Sequence, residues 1–203
     1  KKLYEFSKHK NCQFIYASSG SIYGNESGNS LKNNLKYKPL NLYGKSKLEV
    51  DKFFFQHSKK NVIGLRFFNV YGHLEKHKNN MCSPVTKFSN QLKENKHCNL
   101  FKFKPEDEPL RDFILVNDAV NILEFLKKKK QRGLYNIGTG KPETFVNIGK
   151  ILIKNLGYGK INYIKFPDHL KKKYQFFTKA NISNLKKLGF KKKVKGVESG
   201  IKY

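Results

Sequence analysis

Short apolar runs alternate along the chain with longer stretches that carry apolar residues at helical spacing. "QFIYASS" (13–19) is an apolar run ending in small polar residues and predicts a buried strand. "LYGKSKLEVDKFFFQHS" (42–58) has helical character. "NVIGLRFFNVYG" (61–72) predicts a second buried strand running into a turn, and "TKFSNQLKEN" (86–95) a helix. "DFILVNDAVNILEFLKKKK" (112–130) begins as a strand and continues as a helix that Asp118 is expected to cap. "GLYNIGTG" (133–140) reads as a further strand. "TFVNIGKILIKNLG" (144–157) reads as an amphipathic helix closed by Gly157. "INYIKFPDHL" and "TKANISNLKKLGF" supply one more strand and one more capped helix. Strands that alternate with helices predict an α/β fold, a parallel sheet covered on both faces. The opening "KKLYEFSKHK" reads as the end of a helix already under way. Its first residue is therefore not expected to be the first residue of the working protein.

Composition narrows the picture. A chain of 203 residues fits one domain or parts of two, and 38% hydrophobic residues suffice for a core. Cys12, Cys82 and Cys98 form neither an even set nor a CxxC pair, which fits a reducing, cytoplasmic compartment. No apolar run approaches the ~18 residues of a membrane span, so no membrane partner is expected. The net charge of +27 raises nucleic acid as a partner. Yet Arg occurs only at positions 66, 111 and 132, and Lys is spread along the whole chain. Arg is the favoured residue for bidentate phosphate contacts. Biased composition accounts for the charge better than a nucleic-acid site does. "LKKKKQRG" (126–133) is a solvated helix end, where Lys suits the macrodipole.

Candidate chemistry gathers around "NLYGKSKLEV" (41–50). Tyr43 and Lys47 are four apart, which puts them on one helix face. Tyr43 follows Ser19 by 24 residues, and Ser18 and Ser19 close the first strand. Ligands of parallel sheets sit at the carboxyl ends of strands. A Tyr alone is a poor base at neutral pH, and a neighbouring ammonium favours its phenolate. A Ser hydroxyl orients a substrate oxygen. That set suits proton transfer coupled to hydride transfer.

Three strings, "YASSGSIYG", "YGKSK" and "RFFNVYG", resemble the extended short-chain dehydrogenase/reductase superfamily. Within it, "NVYGHLEKHKNNM" (69–81), "RDFILVNDAVN" (111–121), "YNIGTGKPETF" (135–145) and "FPDHLKKKYQFFTKANISNL" (166–185) resemble the ADP-heptose 6-epimerase family. The resemblance runs from about residue 4 to the end. It implies the carboxyl-terminal portion of a doubly wound parallel-sheet (Rossmann) domain, residues 1–70 and 111–140. A smaller α/β substrate-binding domain would take 71–110 and 141–203.

The resemblance also implies roles. Tyr43 is the acid/base, Lys47 binds the nicotinamide ribose, Ser19 orients substrate and Lys78 is a second acid/base that also borders the cofactor. Val70 lies beside the cofactor and Asn69 touches substrate. Asn80 and Lys87 stand where the family more often has Ser and His, and remain substrate contacts. Phe101, Lys102, Phe103, Lys104, Arg111 and Tyr174 fall where the family holds an ADP-sugar, the Arg on its phosphates. The implied reaction is inversion at C6 of an ADP-linked manno-heptose by transient oxidation with NADP, in lipopolysaccharide core precursor synthesis. A homo-oligomer is expected of the complete protein. Another nucleotide-sugar epimerase or dehydratase, or a non-catalytic basic binding fragment, remain the alternatives. The Gly-rich dinucleotide fingerprint is not among these residues and is expected upstream of residue 1.

Other features have plainer readings. His73 and His77 lie in a loop without a zinc-binding pattern, so no metal is expected. "PEDEP" (105–109) reads as a solvated loop, and the three Phe at 53–55 as packing. Gly138 and Gly140 read as a strand-to-helix turn rather than a phosphate cradle. Arg111 and Asp112 are candidates for a local ion pair, though the resemblance favours phosphate for Arg111.

Dispersed Lys and scarce Arg predict weak, sequence-blind duplex binding that fades steeply as salt rises. A fluorescence titration against two unrelated duplexes checks this. A sequence-selective complex at physiological salt would overturn it.

Overall fold

A computed structural model describes residues 2–25, 36–58, 61–129 and 131–201. Lys130, the last residue of the expected 112–130 element, lies outside them. The helices are α1 (Lys2–His9), α2 (Leu42–His57), α3 (Pro84–Asn95), α4 (Val116–Lys129), α5 (Phe145–Leu156), α6 (Ser183–Lys187) and α7 (Val197–Ile201). The strands are β1 (Phe14–Ser19), β2 (Val62–Phe67), β3 (Asn69–Tyr71), β4 (His97–Phe101), β5 (Leu110–Leu115), β6 (Gly133–Ile137), β7 (Pro142–Thr144) and β8 (Lys160–Ile164). The α/β alternation is as the sequence implies.

Three sheets form among the described residues, in the orders β1-β2-β6, β3-β5-β7 and β4-β8. All pairings are parallel except β5 with β7. The run 61–72 is therefore two strands in two sheets rather than one. Phe68 separates them. It is buried, its N–H bonds the Ile137 carbonyl, and its ring stacks near Tyr23. That anchoring turns the chain out of one sheet and into the next. Strand β1 also departs from expectation: only Ser18 and Ser19 are buried, and Ala17 is exposed. Among the described residues it pairs with β2 alone, so it borders its sheet.

Local signals explain most helix ends. Asn41 caps α2 by accepting from the Gly44 N–H, and Thr144 caps α5 through the Asn147 N–H. Gly157 closes α5 with φ 76°, a left-handed value suited to Gly. Asp118 is not a cap. It lies in the first turn of α4, and its carboxylate accepts from the Lys195 N–H instead. The expected side-chain cap on α6 is absent: Ile182 stands at the N-cap, and Asn181, one residue earlier, accepts from the Ser183 N–H. Strand β4, with Cys98 and Leu100 buried, was not anticipated from its short "HCNLF" pattern.

Two apolar clusters dominate the core. One packs Phe88 and Leu92 of α3 with Phe113, Leu115, Ile148 and Leu152. The other packs Ile63 and Leu65 of β2 with Ile114, Ile122, Leu126 and Ile137. Between sheet and α2 lies a polar network. Asp51 of α2 and Arg66 of β2 are both buried, with Nε donating to Oδ2 at 2.8 Å. The Tyr16 hydroxyl donates to the other Asp51 oxygen at 3.0 Å. Arg66 Nη1 donates to the Tyr23 hydroxyl, which donates to Asn136 Oδ1. The guanidinium lies 5.2 Å from the ring centres of both Tyr23 and Tyr37. Burial pushes the Tyr23 hydroxyl up to about 12, against the pull of Arg66, so it stays a neutral donor.

Breaking a buried pair strands the surviving charge. Arg66 without Asp51 would be such a charge, so Asp51→Leu should lower the unfolding free energy by about 3–5 kcal/mol. Glu49→Ala, which breaks the exposed pair with Lys52 one turn away, should cost about 0–1 kcal/mol. Urea titrations of the two variants measure the contrast.

Candidate active site

The carboxyl end of β1 is built first. After Ser19 the chain turns at once into the 3-10 turn Gly20–Tyr23. Ser19 Oγ accepts from the Ser21 N–H at 3.1 Å and from the Ser21 hydroxyl at 3.0 Å. Its own proton is left to donate outward. Beside it, the Ser18 hydroxyl is buried without a partner among the described residues.

The start of α2 sits on this turn. A Cβ on Gly44 would come within 2.9 Å of both Pro39 Cβ and the Ser21 carbonyl oxygen. The glycine in "YGKSK" thus permits the close approach. It leaves Tyr43 exposed at 56%, with Lys47 Nζ 5.7 Å from its ring centre. Lys47 Nζ donates to the Ala17 carbonyl at 3.0 Å, so it reaches from α2 back to the end of β1. Ser19, Tyr43 and Lys47 therefore belong to one strand-end, turn and helix-start assembly.

Lys78 lies in the 3-10 turn Lys76–Met81 that follows β3, and its Nζ is 3.1 Å from Glu75. Glu75 is buried and also accepts from the Ser83 N–H, the Ser83 hydroxyl and the Thr86 hydroxyl. Burial pushes its carboxyl up, but these hydrogen bonds and Lys78 outweigh it, and the net is below the ordinary glutamate range. Asn69 opens β3 and donates to the Asp112 carbonyl at 3.1 Å. Val70 is half-buried in the same strand and packs against the β2 cluster.

A cavity of about 330 Å³ gathers part of the remaining set. Asn80, Lys87, Phe101, Phe103 and Tyr174 line it, with Phe145 and Ile164. Lys102 and Lys104 do not; both are exposed on the strand-to-turn segment after β4. Arg111 is outside the lining too, but its guanidinium lies 5.1 Å from the Tyr174 ring centre. It is buried, and the ion pairs among the described residues give it no acidic partner. Burial pulls its pKa down while the Tyr174 hydroxyl opposes the shift. Gln175, next to Tyr174, donates to the Gly20 and Gly24 carbonyls. The cavity wall is thereby tied to the turn that carries Ser19.

Arg111 and Asp112 are not an ion pair. The Asp112 carboxylate accepts from the Thr139 N–H and hydroxyl, the Gly140 N–H and the Ala180 N–H, all within 2.9 Å. A Cβ on Gly138 would press on Ala180 Cβ and Asp112. "NIGTG" is a cradle for that carboxylate and not for a phosphate. Sequence reasoning missed Glu75, Asp51 and Gln175. Asp51 and Gln175 have their partners on other elements, and the Ser83 and Thr86 bonds that bury Glu75 come from the start of α3, so spacing gave no signal for any of them.

The fold and this assembly define a class of protein. Residues 1–138 match the NAD dependent epimerase/dehydratase family, and the chain belongs to it. The curated relatives are more particular. The chain is 38% identical over 209 residues to the ADP-L-glycero-D-manno-heptose-6-epimerase of Alkalilimnicola ehrlichii, with 98% of this chain and 64% of that protein covered. It is 36% identical over 215 residues to the one from Brachyspira hyodysenteriae, all of this chain and 67% of that protein. The crystal structure of the Helicobacter pylori ADP-L-glycero-D-manno-heptose-6-epimerase is similar at TM-score 0.84 and 33% identity, over 98% of this chain and 60% of that one. The chain thus spans about two thirds of the length of these relatives.

Gly→Ala normally stabilises a helix by about 1 kcal/mol. Gly44→Ala should do the opposite here, losing about 1–3 kcal/mol as the added methyl pushes α2 off the Ser21 turn. Thermal unfolding of the variant reads the sign directly.

Proposed function

We propose that this chain carries the acid/base chemistry and the sugar-nucleotide pocket of an ADP-heptose 6-epimerase. The carrying observation is that Lys47, beside the Tyr43 ring, reaches back to the strand that ends at Ser19, and that Gln175 links the turn after Ser19 to a cavity beside a buried Arg. Ser19 donates to the oxygen on C6. Tyr43 takes the hydroxyl proton as the carbon is oxidised, with the Lys47 ammonium 5.7 Å from its ring centre. Lys78 serves the same oxygen when the planar ketone is approached from its other side. The centre inverts with no net redox change. A nicotinamide cofactor, taken to be NADP, would supply the hydride exchange.

The residues present fit the nicotinamide end of that cofactor: among the described residues, Lys47 keeps two N–H donors beyond its bond to Ala17 and the buried Ser18 hydroxyl has no partner. Val70 would lie beside it. No strand with a Gly-rich turn and helix stands among the described residues to hold its pyrophosphate, so we place that grip outside them. In the cavity, Phe101, Phe103 and Tyr174 suit a flat base. Asn80 and Lys87 suit polar groups of the substrate, and Arg111 suits its diphosphate, with Lys102 and Lys104 as outlying positive charge. Asn69 would touch the sugar. The same reading takes the working enzyme as a cytoplasmic homo-oligomer in lipopolysaccharide core synthesis. No described helix is long and apolar enough to cross a membrane.

Two measurements test the proposal. Calorimetry on the chain alone should show ADP binding that Arg111→Leu weakens at least ~10-fold, and no tight binding of NADP. Fused to the amino-terminal third of the Alkalilimnicola relative, the chain should epimerise ADP-heptose. Tyr43→Phe, and separately Lys78→Met, should each lower turnover by ~10² or more. Near-normal turnover in both folded variants would refute the assignment.

A further inference from the structure

We propose that Glu108 is a specificity-determining residue whose free carboxylate oxygen accepts the ribose hydroxyls of the bound nucleotide. The inference rests on the sugar-nucleotide reading of the cavity given above. The pattern "PEDEP" reads as a solvated loop, and Glu106 and Asp107 are exposed. Glu108 departs from that reading. It follows the 3-10 turn Pro105–Asp107, is half-buried, and lines the cavity together with Pro109. Its Oε1 accepts from the Val146 N–H at 3.4 Å. Val146 belongs to the first turn of α5, whose N–H groups have no partner within the helix. Phe145 and Val146 line the same cavity, so the carboxylate lies at its wall, between loop and helix. Among the described residues Oε2 takes no hydrogen bond, and no Lys or Arg pairs with Glu108. Every other residue of the lining is neutral or cationic.

A carboxylate in a cavity that takes a diphosphate calls for a reason. Against the phosphates it would only repel. It helps where the ligand offers neutral O–H or N–H donors, because a hydrogen bond to an ionised acceptor is about twice as strong as one between neutral groups. The order of residues locates that donor. Phe103 stands on the aromatic wall that suits the base, and Arg111, against the face of Tyr174, at the place that suits the diphosphate. Glu108 comes between them, three residues before Arg111, and leads directly into the strand that carries the Arg. In a nucleotide the ribose likewise joins base to phosphates. Its 2′- and 3′-hydroxyls are adjacent donors, and a single carboxylate oxygen has the lone pairs to accept from both. The bond from Val146 holds the other oxygen, so the acceptor is set before the ligand arrives.

The test compares nucleotides and needs no turnover. Calorimetry on the 203-residue chain measures three affinities. The ligands are ADP, 2′,3′-dideoxy-ADP, which lacks both hydroxyls, and inosine 5′-diphosphate, which keeps them but lacks the base amine. Dideoxy-ADP should bind about tenfold or more weakly than ADP. Glu108→Ala should shrink that gap to about twofold or less and leave the gap between ADP and inosine diphosphate where it was. Ratios cancel the general gain in anion affinity that loss of a negative charge brings. Glu108→Gln keeps an oxygen for the Val146 N–H and should shrink the gap part of the way; it decides the matter should Glu108→Ala fail to fold. A dideoxy gap left intact in a folded variant of either kind overturns the proposal, as does a wild-type chain that binds both nucleotides equally. An inosine gap that closes instead assigns the carboxylate to the base amine and overturns the ribose assignment. A chain that binds no nucleotide refutes the sugar-nucleotide reading and this proposal with it. ADP binding that Arg111→Leu weakens, with no dideoxy gap, refutes this proposal alone.

Discussion

The buried pair of Asp51 and Arg66 is the constraint on which the site depends. It bolts the middle of α2 to the second strand of the sheet. Tyr16 extends the bolt to the first strand, and Tyr23 and Asn136 extend it to the turn after Ser19 and to β6. Dehydrating two charges is costly, and an apolar pair of equal volume would often hold as well. What the ionic version adds is direction. A guanidinium fork accepts partners only along its N–H bonds, so α2 has one rotation and one height on the sheet. Tyr43 and Lys47 stand two turns and one turn before Asp51 on that same helix, and inherit its placement.

The reach of the amino-acid pattern differed between the two ends of the problem. The alternation of strands and helices was legible because apolar runs and caps are local. Thr144 and Gly157 mark the ends of α5 by chemistry written within a few residues. The Tyr43–Lys47 spacing was legible for the same reason. What escaped depended on distant partners. Phe68 reads as one more apolar residue in a strand, and only its contacts with Gly20 and Tyr23 reveal a change of sheet. Asp118 reads as a cap until Lys195, 77 residues away, claims its carboxylate. Of the substrate contacts implied by resemblance, Asn80, Lys87, Phe101, Phe103 and Tyr174 do meet at one cavity. Lys102 and Lys104 share the segment yet face water, because neighbours along an extended chain point to opposite sides.

Arg111 and Asp112 show how adjacent opposite charges avoid one another. Alternation along β5 sends them to different surroundings. Asp112 is absorbed by the "NIGTG" turn and secures it to the segment around Ala180. Arg111 is left against the face of Tyr174. The two residues that look like a local ion pair thus have separate partners, and the glycines that look like a phosphate loop serve the acid.

The tie between Gln175 and the Ser19 turn has an evolutionary side. The cavity is walled by β4, β8 and the aromatic residues around Tyr174, while Tyr43 and Lys47 sit on α2, which the Asp51–Arg66 network anchors. The two regions are joined by a few backbone-directed bonds, and such bonds are blind to side-chain identity at the wall. Phe101, Phe103 or Lys87 are therefore free to change without disturbing the placement of Ser19, Tyr43 and Lys47. A scaffold divided in this way tolerates drift along one wall while the geometry at the end of the first strand is kept.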